Sequence, residues 1–347
     1  MQEQYVKCLK EELKYKYEQI AEKYDITTIY IGGGTPSYIE SKYIKELLEI
    51  IQEKNENAEI TIEVNPGTVT EQKLVDYKEA GVNRLSIGLQ SCNNELLKKI
   101  GRIHTYEQFL ETYKLSRKVG FKNINVDLML GLPNQTIDDL KNSLENVMEL
   151  HPEHISVYSL ILEEGTRLFE HANAGTLELP EENIERMMYW YVKNTLELHE
   201  YEHYEISNFS KKGWYSKHNV NCWKQKEYIG VGLAASSYMN KIRFSNISDL
   251  RGYINNIENE EYEKNKIIEE VQDKETEQKE FILLGLRQIK GVSIQEFKNK
   301  FGVNPIYLYK NEFNKLVAEE LIDIDRDIIK LTNKGLDLAN QVWQEFV

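Results

Sequence analysis

Residues 27–64 read TTIYIGGGTPSYIESKYIKELLEIIQEKNENAEITIEV. The stretch opens on a β-branched run, TTIYI (Thr27–Ile31), turns through three glycines and a proline, and takes up helical periodicity over Tyr38–Gln52. It closes on a second strand candidate, EITIEV (Glu59–Val64). Strands separated by a helix cannot pair through a hairpin, so the unit predicts parallel strands joined by a right-handed crossover. The pattern recurs. Strand candidates Asn83–Ile87, Asn123–Met129 and His154–Leu160 alternate with helical segments Thr70–Ala80, Thr105–Val119 and Thr136–Leu150, and Gly81 and Gly120 fall just after helices. The fold class is α/β, with a parallel sheet that is open or closed toward a barrel.

Outward from this core the pattern changes. The chain starts on a helix, roughly Gln2–Lys23, with Tyr5, Cys8, Leu9, Leu13, Tyr17 and Ile20 on a packing face. A helix with no strand before it is either a cap or the sign of a missing upstream strand. Past Leu160 come a helix near Glu181–Leu198, a short strand Tyr201–Ser207, a loop Asn208–Trp223 rich in Asn, Ser, Gly and aromatics, and a small-residue stretch Gly230–Ser237. Glu258–Glu280 is densely charged and reads as a solvated helix or linker. From about Thr276 an independent apolar rhythm (Phe281, Leu284, Phe297, Phe301, Leu316) precedes the pair Ile322–Asp325 and Ile328–Leu331, which predicts a small winged-helix module.

Composition excludes several classes. The 347 residues are 41 % hydrophobic and 29 % charged, ordinary for a globular chain. With 43 Lys and Arg against 57 Asp and Glu, the net charge of −14 gives no general attraction to nucleic acid. No run approaches the roughly 20 apolar residues of a membrane span, and no secretory h-region follows Met1. Cys8, Cys92 and Cys222 are too few and too scattered for a disulfide framework, which suits a cytoplasmic protein, and they match no metal-ligand spacing.

In parallel α/β sheets ligands sit at the carboxyl ends of the strands. The first strand is followed by Gly32-Gly33-Gly34-Thr35-Pro36, whose bare backbone can approach a ligand. No Gly-Lys-Ser/Thr follows, so this is not a P-loop. Glu63 ends the second strand, Gln90 follows the third, Arg102 lies beyond a short helix, Asp127 is on the fourth, and Glu205 and Asn208 end a later strand. Carboxylates for an ammonium or ribose hydroxyls, with a cation and glycine N–H groups for a carboxylate, suit a zwitterionic, ribose-bearing ligand.

GGGTP, Glu63 within EVNP, Gln90 within SIGLQS, the run GRIH (residues 101–104) and NVDLMLGLP resemble radical S-adenosylmethionine proteins of the oxygen-independent coproporphyrinogen oxidase type. The segments YEISNF (residues 204–209), HNVNCW (218–223) and YIGVGLAASSY resemble the haem-chaperone branch of that family. The resemblance implies a partial (β/α) barrel over 1–165, its completion and a haem-motif loop over 166–257, a charged linker over 258–275 and a small C-terminal domain over 276–347. It implies that Gly33, Gly34, Thr35 and Glu63 contact S-adenosylmethionine. Gln90, Arg102 and Asp127 match positions that hold a second S-adenosylmethionine in the oxidase branch. The motif residues His218, Asn219, Cys222 and Trp223 would bind haem, with His218 as axial ligand through an imidazole nitrogen and Cys222 as a competing thiolate. Trp214, Tyr215 and Trp223 could offer flat surface to a porphyrin or pack beneath the loop. The implied partners are haem and haem-accepting apo-proteins, a transient membrane-protein partner among them, with no nucleic acid.

Two departures stand out. The family holds a [4Fe–4S] cluster with a Cys-x-x-x-Cys-x-x-Cys loop after its first strand, and these residues contain no such loop. The chain as written is therefore expected neither to ligate the cluster nor to cleave S-adenosylmethionine reductively, so no catalytic residue and no metal ligand is assigned. The haem motif, His-Asn-x-x-Tyr-Trp in the family, reads His-Asn-x-x-Cys-Trp here. The favoured reading is a haem chaperone that binds haem and S-adenosylmethionine; a coproporphyrinogen III oxidase of porphyrin biosynthesis, or an inactive remnant of either, is the alternative. A missing first strand would leave Thr27–Ile31 as an apolar edge that invites a homodimer.

Overall fold

The structure, a computed structural model, describes residues 1–347. It contains two compact units, one of Thr28–Lys45 and Asn57–Tyr215, the other of Met1–Thr27, Glu46–Glu56 and Ser216–Val347.

Seven strands build the first unit: β1 (Thr28–Ile31), β2 (Glu59–Val64), β3 (Arg84–Gln90), β4 (Ile124–Leu130), β5 (His154–Ser159), β6 (Glu202–Glu205) and β7 (Asn208–Ser210). Their order is β1-β2-β3-β4-β5-β7-β6. The first five run parallel, as the crossover pattern requires; β7 is antiparallel to both β5 and β6, because a tight turn at Ile206–Ser207 joins β6 to β7. This is the half-barrel expected of the family. The strand starts read from the sequence shift by one residue at β1, β3, β4 and β6.

Alternation along the strands decides what each face does. Ile60, Ile62, Val64, Leu85, Ile87, Leu89, Ile124, Val126, Leu128, Ile155 and Val157 are buried on one face, beneath helices carrying Leu74 and Tyr77, Phe109 and Tyr113, Leu140 and Leu144, and Val192 and Leu196. Threonines cap those helices: Thr105 and Thr136 form reciprocal capping boxes, and Thr70 accepts from Lys73 N. Gly120 ends one helix at φ 95°, where a side chain would be strained. The opposite strand face carries Tyr30, Thr61, Glu63, Arg84, Ser86, Asn125, Asp127, His154, Ser156 and Tyr158. A sheet covered by helices on both faces would be apolar throughout. Here one face is a polar lumen.

In the second unit β8 (Ser236–Met239), β9 (Ile242–Asn246) and β10 (Lys266–Val271) form an antiparallel sheet in the order β10-β9-β8. Residues 258–275, expected to be a charged linker, thus include a strand hydrogen-bonded to β9 from Lys266↔Asn246 to Val271↔Ile242. Its exposed Ile267, Ile268 and Val271 explain why no buried periodicity was visible. The opening helix ends at Ile20, and its Cys8 packs with Tyr253, Ile254 and Ile257. The packing partners of that helix lie some 240 residues further along the chain. Its Glu12 accepts hydrogen bonds from Gly232 N, Asn246 Nδ2 and Tyr253 Oη, which gives the YIGVGLAASSY segment a structural purpose.

The last 70 or so residues match the winged-helix expectation: helices Lys274–Gly285, Ile294–Phe301 and Lys310–Ala318 with the sheet β11 (Val292–Ser293), β13 (Ile328–Leu331), β12 (Ile322–Asp325). Ile282, Phe297, Phe301, Phe313, Leu316, Ile329 and Val342 form their shared core. Gly335 passes so near the Leu321 carbonyl that a Cβ would stand 1.8 Å from its oxygen.

Candidate functional site at the strand ends

The GGG turn is built by close approach and by backbone sign. A Cβ on Gly32 would fall 2.6 Å from Tyr30 Cε1 and 2.9 Å from Glu63 Oε1. Gly33 and Gly34 sit at φ 81° and 59°, and no atom lies within 4 Å of where their Cβ would be, so the turn presents open backbone. Thr35 precedes the short 3₁₀ turn Pro36–Tyr38, and its hydroxyl makes no capping bond. Glu63 accepts from Tyr30 Oη at 2.8 Å and Gly33 N at 3.2 Å, clamping the turn to β2. Lys73, which the sequence did not single out, gathers the carbonyls of Ser37 (2.9 Å), Thr68 (3.1 Å) and Tyr38 (3.3 Å) and so ties this turn to the Asn65–Thr68 turn. Burial lowers its pKa.

β3 carries a bulge between Gly88 and Gln90. Such bulges re-aim side chains at functional rims. Gln90 sits at φ 68°, and its amide nitrogen donates back to the Leu89 and Gly88 carbonyls at 3.0 Å, so that nitrogen braces the bulge and is not offered to a ligand. His104 braces it from the other side, its Nε2–H reaching the Leu89 carbonyl at 3.3 Å. Because that nitrogen carries the proton, the buried Nδ1 is a bare acceptor, and burial lowers the ring's pKa.

Arg102 and Asp127 complete the constellation. The half-buried Arg102 guanidinium makes no hydrogen bond or ion pair; desolvation lowers its pKa while the charges of Asp127 and Glu63 oppose the shift. Asp127 accepts from Asn125 Nδ2 at 2.7 Å and from Ser86 Oγ at 3.4 Å. Burial pushes its carboxyl up to about 6, against the pull of the Asn125 hydrogen bond and with help from the Glu63 charge. At the far side Glu205 accepts from Ser207 N at 3.1 Å and from Asn208 Nδ2, leaving the buried Asn208 Oδ1 without a partner. A guanidinium with no hydrogen-bond partner, two carboxylates and open glycine backbone fit a zwitterionic ligand such as S-adenosylmethionine. In such a complex Arg102 would take a carboxylate, and Glu63 and Asp127 an ammonium or hydroxyls.

The second motif was read as a loop, but it forms the helix Lys217–Trp223, capped by Ser216 Oγ accepting from Asn219 N at 3.3 Å. Helical spacing puts His218 and Cys222 on one face, and Asn219 and Trp223 on the next. Burial raises the Cys222 pKa. The aromatic platform is partly committed: the Arg287 guanidinium lies 4.3 Å from the Trp223 ring centre and 5.1 Å from that of Trp343. In the first unit, Tyr215 stacks on Tyr204 at 4.4 Å. Packing therefore accounts for Tyr215 and much of Trp223.

The cysteines are all free: Cys8 on the opening helix, Cys92 after β3 and Cys222 on the short helix. Burial drives the Cys92 thiol up to about 12, and no group of three or more His, Cys, Asp or Glu could hold a metal ion. These residues do not fit a [4Fe–4S] cluster, and no radical step can be routed through them. No helix is long and apolar enough to cross a membrane.

Comparison with known proteins defines the class. The radical SAM superfamily model matches residues 4–147, and the HemN C-terminal domain model matches residues 272–338. The solved coproporphyrinogen III oxidase (HemN) of Escherichia coli superposes with a TM-score of 0.84 over 99 % of this chain and 82 % of its own, at 21 % identity, a likeness of fold. The molecule is thus a radical SAM half-barrel protein with a HemN-type C-terminal domain. The heme chaperone HemW of Lactococcus lactis is 38 % identical over 325 residues, spanning 93 % of this chain and 85 % of the relative, and that of Bacillus subtilis is 36 % identical over 93 % and 86 %. The chain belongs to the HemW heme chaperone family.

Proposed function

We propose that this protein binds haem and transfers it to haem-accepting apo-proteins, holding S-adenosylmethionine at the strand ends of its half-barrel. The observation that carries this reading is the His-Asn-x-x-Cys-Trp helix, with His218 and Cys222 one turn apart on one face, in a chain whose relatives are named heme chaperones. The oxidase reading has behind it a likeness of fold at 21 % identity. Three free cysteines suit a reducing cytoplasm.

S-Adenosylmethionine, when bound, would supply a charged sulfonium ligand whose amino-acid end the strand-end groups can recognise. Arg102 offers two-pronged donors to a carboxylate, Glu63 and Asp127 offer acceptors, and Gly33 and Gly34 let the ligand lie against backbone. His218 offers a nitrogen lone pair to haem iron, and Cys222 becomes a ligand only as thiolate, which burial disfavours. Haem titration followed in the Soret band tests the reading. His218→Ala should weaken binding about tenfold or more, while Cys222→Ala should change it less than threefold. Wild-type haem affinity and an unchanged spectrum in His218→Ala would overturn it.

A further inference from the structure

The polar lumen contains a hydrogen-bond chain whose direction is fixed at every link. Asn125 uses its whole amide: Nδ2 donates to Asp127 Oδ1 (2.7 Å) and Ser86 Oγ (2.8 Å), and Oδ1 accepts from His154 Nδ1 (2.6 Å) and Ser156 Oγ (3.0 Å). An amide oxygen can only accept, so Nδ1 of His154 carries the proton. Its Nε2 is then an acceptor and takes the Tyr204 hydroxyl at 2.7 Å. His154 is fully buried, and burial, reinforced by the Arg84 charge, holds its pKa well below the usual value and keeps the ring neutral. Donation runs one way: Tyr204 to His154 to Asn125 to Asp127. Reversing the Asn125 amide would set its oxygen against the Asp127 carboxylate and its NH₂ against the imidazole N–H.

A buried histidine costs stability unless its hydrogen bonds are used, and an apolar side chain could fill the same space without that cost. We infer that His154 is a positioning residue: through Asn125, and with its tautomer set by Tyr204, it fixes the Asp127 carboxylate in the orientation presented to the ligand at the strand ends. This rests on the reading that Asp127 contacts S-adenosylmethionine. The other titratable or charged groups facing Asp127 are Tyr30 on β1, Glu63 on β2, Arg84 on β3, Arg102 beyond the third strand and Tyr158 on β5. None of these is hydrogen-bonded to His154, whose hydrogen-bonded route to Asp127 runs through Asn125.

The test is calorimetric titration of the full chain with S-adenosylmethionine from pH 5 to 8. Wild-type affinity should fall as pH drops through about 6, where Asp127 takes up a proton. His154→Phe frees the Asn125 amide, weakens its donation to Asp127 and should move that midpoint up by about half a pH unit, or roughly threefold in affinity at pH 5, with the pH 8 affinity kept within about twofold. Tyr204→Phe, nearly isosteric, should shift it in the same direction by less and covers the case in which His154→Phe folds poorly. If both variants weaken binding equally at every pH with the midpoint unmoved, His154 is structural and the inference fails. If Asp127→Asn keeps wild-type affinity and the same midpoint, Asp127 is not at the ligand, and it is the site assignment that fails first.

Discussion

Gly32 has an ordinary backbone conformation and Gly33 a left-handed one, so conformational preference alone ranks alanine at Gly33 as the worse substitution. The structure reverses that order. At Gly33 the new methyl meets nothing within 4 Å, and the cost is the backbone strain at φ 81°, about 1–2 kcal/mol. At Gly32 it stands 2.6 Å from Tyr30 Cε1 and 2.9 Å from Glu63 Oε1, well inside contact distance. Overpacking costs about 1–3 kcal/mol, and moving Tyr30 strains its 2.8 Å bond to the Glu63 carboxylate, an interaction worth about 1.5–3 kcal/mol. Gly32→Ala should therefore cost about 3 kcal/mol, against about 1–2 for Gly33→Ala. Urea unfolding measures both. In a Tyr30→Ala background the closest clash disappears, and the Gly32→Ala penalty should fall by about half, a coupling that a double-mutant cycle reads directly. Displacing Glu63 should also weaken S-adenosylmethionine binding. A Gly33→Ala penalty above that of Gly32→Ala, or an equal Gly32→Ala penalty in both backgrounds, would refute the reasoning.

Two further outcomes test the second unit and the lumen's outer wall. Glu12 is buried and accepts from Lys16 Nζ (2.6 Å), Gly232 N (2.8 Å), Asn246 Nδ2 (2.6 Å) and Tyr253 Oη (2.5 Å), so Glu12→Ala, which strands a lysine and three donors, should cost about 3–5 kcal/mol in urea unfolding; under 1 kcal/mol would show the network to be incidental. His203 stacks on Phe209 at 4.4 Å and burial lowers its pKa to about 4, so it is neutral in the native state and charges on unfolding. Its contribution is therefore full above about 6.5 and is lost as pH falls toward 4, about 3 kcal/mol in all; His203→Phe should flatten that limb of the stability–pH curve, and an unchanged limb assigns it to other groups.

The half-barrel was legible because its signal is local. TTIYI, EITIEV and the runs after them alternate with helical segments, and chain connectivity alone forces parallel pairing. The same alternation holds the polar lumen, with Ser86, Asn125, His154 and Ser156 at every second position, although of the lumen groups only the carboxylates Glu63 and Asp127 carry a ligand-binding signal in the sequence. Lumen polarity becomes informative once the strands lie side by side and Asn125 is seen to touch Ser86, Asp127 and His154 together. Lys73 and His104 were invisible as site-building residues, since each acts on carbonyls brought in from other segments. The β10 strand was mistaken for linker because its side chains face outward, so hydrogen bonding to β9 defines it and burial does not.

What the sequence determined by itself was the kind of fold, the end of the sheet where a ligand would sit and the motifs His218–Trp223 and Gly32–Pro36, because strand and helix periodicity and turn chemistry act over a few residues. What only the tertiary structure decided was how each group is used: Gln90 turned back on its own bulge, Arg102 left without a hydrogen-bond partner, Glu12 bonded to residues more than 200 positions away. Hydrogen-bond partners, burial and the resulting pKa shifts depend on which distant segments converge, and that is set by packing, to which no short window of sequence has access.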